Sequence, residues 1–135
     1  MKSKKSVRIT VISTLIIIAL FVFCYFWFIR PMYLNNLDQE KTVSLEKAQI
    51  IRFGKFSEQG KVFSIELEIT GNAHSNVDIY LSDEKGPKHS AAVKGKNMDF
   101  TYKNDWHSDS CFIEIVPREK MGGKVEVNCR FLALE

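Results

Sequence analysis

The stretch VFSIELEIT, residues 62–70, followed by VDIYLSD, residues 77–83, decides the fold class of this chain. In both stretches apolar side chains alternate with polar ones at every second position. Because successive side chains of a strand point to opposite faces, this pattern predicts two half-buried β-strands. The turn sequence GNAHSN between them favours a hairpin. In that hairpin Ile69 would face Val77, Leu67 would face Ile79 and Ile65 would face Leu81.

Shorter stretches of the same kind predict strands at 49–56, 97–103, 111–117 and 124–134, with a weaker pattern at 90–93. Six or seven short strands separated by polar turns, without a stretch of helical period, are typical of antiparallel sandwiches and small barrels. We therefore predict an all-β domain over residues 48–135, folded as a small, jelly-roll-like antiparallel β-sandwich.

The N-terminal part has a different character, because residues 9–29 carry no charged side chain. A helix of this length, at about 1.5 Å per residue, spans the roughly 30 Å hydrocarbon core of a bilayer. Four of the eight residues before it are Lys or Arg. The positive-inside rule then predicts a cytoplasmic tail at 1–8, a transmembrane helix at 9–29 and a periplasmic or extracellular domain.

A cleaved secretory signal is the alternative, since it shares the basic start and apolar middle. The apolar run here ends in bulky aromatic residues rather than in small ones. Tyr25, Trp27 and Arg30 fit the boundary between membrane and water, which favours an uncleaved anchor in contact with the lipid bilayer.

Residues 30–47 are polar and predict a juxtamembrane stalk between the anchor and the domain. Leu34, Leu37 and Leu45 would lie on one side of a short helix, and a solvated linker is the alternative.

The charge distribution argues against nucleic acid as a partner. The chain has a formal net charge of +3, yet residues 31–135 hold 14 of its 19 basic residues and all 16 acidic ones, a balance of −2. The basic excess therefore belongs to the membrane flanks, where it sets topology and meets anionic lipid.

Cys111 and Cys129 are a candidate disulfide. If the last two predicted strands form a hairpin centred on Lys120, the two cysteines are directly opposite each other. Their Cα separation of about 4.5 Å would lie at the short end of the disulfide range, and an extracytoplasmic address permits oxidation. The alternative is a pair of buried, reduced thiols packed as small hydrophobic groups.

The loop at residues 104–110 is the strongest candidate for a ligand site. A calcium ion could bind through Asp105 and Asp109, with His107 nearby, although the spacing and glycine of an EF-hand are missing. A sugar ring could stack on Trp106, with Tyr80 as a second aromatic contact. The alternative is a connecting loop in which Trp106 covers the end of the core.

Nothing in the sequence predicts an enzyme. It contains no nucleophile elbow, phosphate-binding loop or dinucleotide-binding glycine pattern. His74, His89 and His107 fall in three predicted loops without the spacing of a metal site. We expect no catalytic residue, no bound metal and no cofactor, apart from the calcium considered above.

Residues 62–69 and 77–83 together resemble the pre-peptidase C-terminal type of β-sandwich, in which an aromatic-led strand precedes a D-[LI]-Y-L strand. The resemblance continues through 112–116 and 127–132, so it covers about residues 60–134. Ser110-Cys111 replaces the glycine that usually stands before the penultimate strand of that family. The resemblance implies a non-catalytic accessory module and assigns no functional residue.

Two functions agree with these observations. The first is a single-pass, membrane-anchored interaction module outside the cytoplasm, an accessory subunit that docks on a partner protein of a membrane or cell-envelope complex. The second is a carbohydrate- or surface-ligand-binding sandwich that uses its loop aromatics. Tyr80 and Phe112 are predicted on outward faces of their strands, either as an exposed apolar patch or as the second side of a thicker core.

Overall fold

The structure, a computed structural model, describes residues 3–134, apart from the side chains of Pro31, Tyr33 and Leu34. It divides into two units, Met1–Leu34 and Asn35–Glu135, which are described separately.

The first unit is helical. An α-helix, α1, covers Lys4–Cys24, a π-helical turn covers Tyr25–Ile29, and a short helix, α2, covers Arg30–Asn35. Ser3 caps α1, because its hydroxyl accepts a hydrogen bond from the Ser6 amide at 3.2 Å. The described residues of α1 include no buried side chain. By length and composition, the helical stretch Lys4–Ile29 is able to cross a membrane or to serve as a signal sequence.

The second unit is a β-sandwich of eight strands. These are β1 (Gln39–Ser44), β2 (Gln49–Gly54), β3 (Val62–Ala73), β4 (Val77–Asp83), β5 (Gly86–Val93), β6 (Met98–Asp105), β7 (Ser110–Pro117) and β8 (Gly123–Ala133). They form two antiparallel four-stranded sheets. Sheet A has the order β1-β8-β3-β6 and sheet B has the order β2-β7-β4-β5. The predicted all-β sandwich is confirmed.

The predicted hairpin between the first two strands is wrong. β3 pairs with β8 and β6 in sheet A, whereas β4 pairs with β7 and β5 in sheet B. The connection at residues 74–76 crosses from one sheet to the other. Ile69 and Val77 are nevertheless both buried, because they enter the same core from opposite sides. Alternation fixes the face of a strand that is buried, but it does not identify the neighbouring strand.

The predicted hairpin of the last two strands is wrong for the same reason. β7 lies in sheet B and β8 in sheet A, so Cys111 and Cys129 are not cross-strand neighbours. Cys111 is opposite Phe53 of β2 and Cys129 is opposite Leu67 of β3. The two thiols enter the core from facing sheets, and both are free.

The stalk predicted at residues 30–47 is also corrected. α2 extends to Asn35 and β1, within the predicted stalk, is an edge strand of sheet A. Val43 is the one buried residue of β1, so the strand shows too little alternation to be recognised in the sequence. Two contacts hold its start: Arg130 donates to Asp38 at 2.6 Å, and the Ala133 amide donates to the side-chain oxygen of Asn35 at 2.9 Å.

The core lies between the two sheets. Aliphatic side chains from the inward faces of β3, β4, β7 and β8 fill it, together with two phenylalanines and Met98. The buried side chains of the core include Phe53, Ile65, Leu67, Ile69, Ile79, Leu81, Ile113, Ile115, Val125, Val127 and Phe131. On one side of the sandwich the Lys41 ammonium donates to the Arg52 carbonyl of β2 at 2.8 Å, which links the edge strands of the two sheets.

Candidate interaction surface

The outward face of sheet B carries exposed and half-buried apolar side chains, which we call the apolar face: the exposed Ile50, Tyr80 and Ala92, and the half-buried Phe112 and Val116. The strand register places them together. Ile50 and Tyr80 both lie opposite Glu114, one on each side of β7, and Phe112 and Val116 are two positions away on β7 itself. Ile50 is 70% exposed and Tyr80 is 44% exposed. Large apolar side chains are therefore presented to solvent on three adjacent strands.

The charges on this surface are few and balanced. Asp78 and Arg118 neutralise each other through hydrogen bonds of 2.7, 3.0 and 3.1 Å, and Arg118 lowers the pKa of the Asp78 carboxyl. Lys88, which lines a pocket together with Tyr80 and Glu114, pairs with Asp83 at 3.5 Å.

Arg52 and Glu114 remain as one unpaired cation and one unpaired anion. The Arg52 guanidinium lies 6.0 Å from the centre of the Phe112 ring. Within the described part of the chain, neither Arg52 nor Glu114 forms an ion pair.

The outward face of sheet A is polar and acidic. It holds a shallow groove of about 370 Å³, lined in part by Glu66, Glu68 and Asp99. Arg130 lies in this groove, where it bonds to Asp38 at 2.6 Å and to Glu66 at 3.4 Å. The hydrogen bond from Arg130 lowers the pKa of Asp38. Arg130 is thus already neutralised by its neighbours, and the two outward faces of the sandwich differ sharply in polarity.

The loop at 104–110 does not present its tryptophan to a ligand. Trp106 is 2% exposed, and its indole N–H donates to the Ser110 carbonyl at 3.0 Å. Its backbone amide donates to the Phe63 carbonyl at 3.1 Å. A sugar ring cannot stack on an indole in this position, so the predicted ligand role of Trp106 is corrected. The side chain is part of the core.

The polar residues of that loop point to solvent. Asp105, His107 and Asp109 are exposed, and Asp109 pairs with Lys55 at 3.5 Å. Among the described residues, no group of three or more His, Cys, Asp or Glu side chains is placed to hold a metal ion. His89 lies in β5 rather than in a loop, and its ring packs 4.8 Å from that of Tyr102.

The two core cysteines are poor nucleophiles in this environment. Burial, and secondarily the charge of Asp83, raise the pKa of Cys111 to about 12. Burial also raises the pKa of Cys129, with a smaller contribution from Cys111. Because the thiolate is the reactive form, both side chains are expected to behave as small hydrophobic groups.

This leads to a prediction for thiol labelling. In a Cys24→Ser background, folded protein should react with a maleimide at least about 100-fold more slowly than urea-unfolded protein, because both thiols are buried and protonated. Mass spectrometry after unfolding without reductant should find two free thiols. Equal labelling rates in the two states, or a mass lower by two hydrogens, would contradict the structure.

Of the predicted membrane-interface residues, Tyr25 and Trp27 are exposed on the π-helical turn. The Arg30 guanidinium lies 5.7 Å from the centre of the Phe26 ring. The membrane-interface role of Tyr25, Trp27 and Arg30 stays a prediction.

Sequence reasoning found Tyr80 and Phe112 of the apolar face but missed Ile50 and Val116. The signal was present, because β7 is apolar on its outward face at residues 112 and 116 as well as on its inward face. Ile50 likewise precedes the inward-facing Ile51 of β2. Apolar residues at consecutive positions of a short strand in a two-sheet sandwich indicate that its outward face is apolar as well.

No family model and no curated protein matches this sequence. Among solved structures, the chain is similar to the pre-peptidase C-terminal domain of collagenase from Bacillus anthracis, with 10% identity, 70% of this chain and 90% of that chain covered, and a TM-score of 0.50. The resemblance inferred from the sequence is thereby confirmed at the level of the fold.

Two further solved structures are similar. One is the Aeromonas hydrophila PliG, a periplasmic inhibitor of g-type lysozyme, with 7% identity, 70% and 84% of the two chains covered, and a TM-score of 0.41. The other is CBM29-2, a family 29 carbohydrate-binding module, with 9% identity, 70% and 93% covered, and a TM-score of 0.37.

Proposed function

We propose that this protein is a single-pass, membrane-anchored and non-catalytic module outside the cytoplasm, which docks on a partner protein of a membrane or cell-envelope complex through the apolar face. The observation that carries the proposal is the exposure of Ile50 and Tyr80 on the two strands that flank β7, with the half-buried Phe112 on β7 beside them. Contiguous apolar surface of this kind costs solubility and is typical of interaction sites.

The anchor and its orientation rest on the N-terminal sequence. The helix Lys4–Ile29 is long and apolar enough to cross a bilayer. Lysines and an arginine precede its apolar part, and aromatic residues end it. These features support an uncleaved anchor with a cytoplasmic N-terminus.

The proposal assigns no catalysis. The three histidines lie apart in the fold, with His89 packed on Tyr102 and His107 exposed beside a buried Trp106. A nucleophile needs a base within hydrogen-bond reach and a group that orients the base. Carbohydrate binding through loop aromatics is the weaker alternative, because only Tyr80 of the two proposed aromatic contacts is exposed.

Site-specific photo-crosslinking in intact cells tests the docking surface. With p-benzoylphenylalanine in place of Tyr80, we expect one discrete protein adduct after irradiation. The matched control carries the same residue in place of Thr101, which is exposed on the outward face of sheet A. That control should give no adduct. Adducts at position 101 but not at position 80 would overturn the proposed docking surface.

A further inference from the structure

We propose that the apolar face binds a second copy of this chain, so that the protein is a two-fold symmetric dimer in the membrane. The inference rests on the proposed function, whose docking surface it uses, and it specifies the occupant of that surface. Two observations favour self-association: the charges of the face and the membrane anchor, which compensates for the small area of the face.

The charge pattern is self-complementary. Arg52 and Glu114 are the unpaired cation and anion of the face, and the register makes them diagonal neighbours, because Arg52 lies opposite Phe112 while Glu114 lies opposite Ile50. In a two-fold symmetric interface, if residue i of one copy contacts residue j of the other, then residue j of the first copy also contacts residue i of the second. An axis passing between Arg52 and Glu114 therefore forms two opposite-charge contacts at once.

Other protein partners fit this face less well. Arg118 neutralises Asp78, and Lys88 is paired with Asp83. The surface therefore has one unpaired charge of each sign and selects neither an acidic nor a basic partner. The outward face of sheet A does not share this property, because its strands present six acidic side chains and three basic ones. The acidic ones are Glu40, Glu66, Glu68, Asp99, Asp105 and Glu126, and the basic ones are Lys103, Lys124 and Arg130. Two copies of that face would repel each other.

The area of the face explains why the anchor matters. Four strands about 4.8 Å apart, each with about five residues rising about 3.4 Å, present roughly 320 Å². A stable interface of standard size buries about 800 Å² per partner. Association through this face is therefore weak in dilute solution. Two copies anchored in one bilayer meet at a much higher effective concentration, which compensates for the small area.

Charge reversal in the full-length protein tests the inference, with p-benzoylphenylalanine at position 80 and two epitope tags on separate copies. The expected adduct has the mass of two chains and carries both tags. Arg52→Glu and Glu114→Arg should each reduce it at least tenfold, because each variant places like charges together. Co-expression of the two single variants should restore it, because each chain then carries the charges that the other needs. Thr101 remains the control position.

Each outcome is decisive. Single reversals without effect, or no recovery on mixing, would overturn the dimer. An adduct with a different protein would overturn the dimer but leave the proposed docking function intact. The absence of any adduct at position 80 would overturn both. If a reversal unfolds the chain by circular dichroism, Arg52→Gln and Glu114→Gln replace it: each should weaken the adduct, and mixing them should not restore it.

Discussion

Replacing Trp106 with alanine is expected to lower the free energy of unfolding by about 3–5 kcal/mol. The indole is 2% exposed and closes one end of the core. Its removal leaves a cavity, and it also leaves the buried Ser110 without the hydrogen bond that its carbonyl accepts at 3.0 Å. Since small domains are stable by about 5–15 kcal/mol, this single change would remove a large part of the total.

Urea unfolding of the full chain in detergent, followed by the far-ultraviolet circular dichroism of the sheets, measures this effect. Trp106→Phe is the matched control, because it keeps most of the volume and loses only the hydrogen bond, at a cost of about 1–2 kcal/mol. Tyr80→Ala removes an outward-facing aromatic ring and should change the free energy of unfolding by about 0.5 kcal/mol or less. An unchanged urea midpoint for Trp106→Ala would mean that the indole is not part of the core.

Replacing Gly71 with alanine should destabilise the sandwich by about 3 kcal/mol or more. Gly71 has a φ of +138° in the middle of sheet A, where β3 pairs with β8 on one side and β6 on the other. A Cβ atom there would meet the Lys124 carbonyl oxygen and would lie 2.8 Å from the Val125 Cα. Both are backbone atoms, so the central pair of strands would have to separate.

Gly86 provides the matched control for this substitution. It also has a positive φ, of +131°, but a Cβ atom at this position would meet nothing within 4 Å. Gly86→Ala therefore measures backbone strain alone, about 1–3 kcal/mol. Urea unfolding of the two variants gives the cost of the steric clash as the difference between them. Equal destabilisation of the two would show that β3 and β8 are not packed as closely at Gly71 as described.

The sequence pattern predicts which face of a strand is buried, but it does not predict which strands pair with each other. The alternation around Leu67 correctly predicts a buried row on β3, because burial depends on the local pattern. By its pattern alone, β3 could pair equally well with β4, β6 or β8. The choice between a hairpin and a crossing to the other sheet therefore depends on long-range packing. β1 could not be found from the pattern, since its pairing with β8 stabilises a strand with one buried residue, Val43.

The candidate surface was predictable only in part. The outward orientation of Tyr80 and Phe112 follows from alternation within each strand. Their position on one face depends on the pairing of β4 with β7, and the inclusion of Ile50 depends on the pairing of β2 with β7. The burial of Trp106 could not be predicted either, because it also depends on the tertiary structure. A polar loop sequence does not show that its indole turns into the core.

The start of β1 has a mechanical consequence. Any pull transmitted through the N-terminal helix reaches the sandwich first at Asn35 and Asp38, which precede the pairing of β1 with β8. The bond from Arg130 to Asp38 and the bond from Ala133 to Asn35 lie at this end of the strand. They are therefore the first contacts to carry the load. A load on the tether is therefore expected to strain an ion pair and an amide hydrogen bond before it strains the β1–β8 pairing.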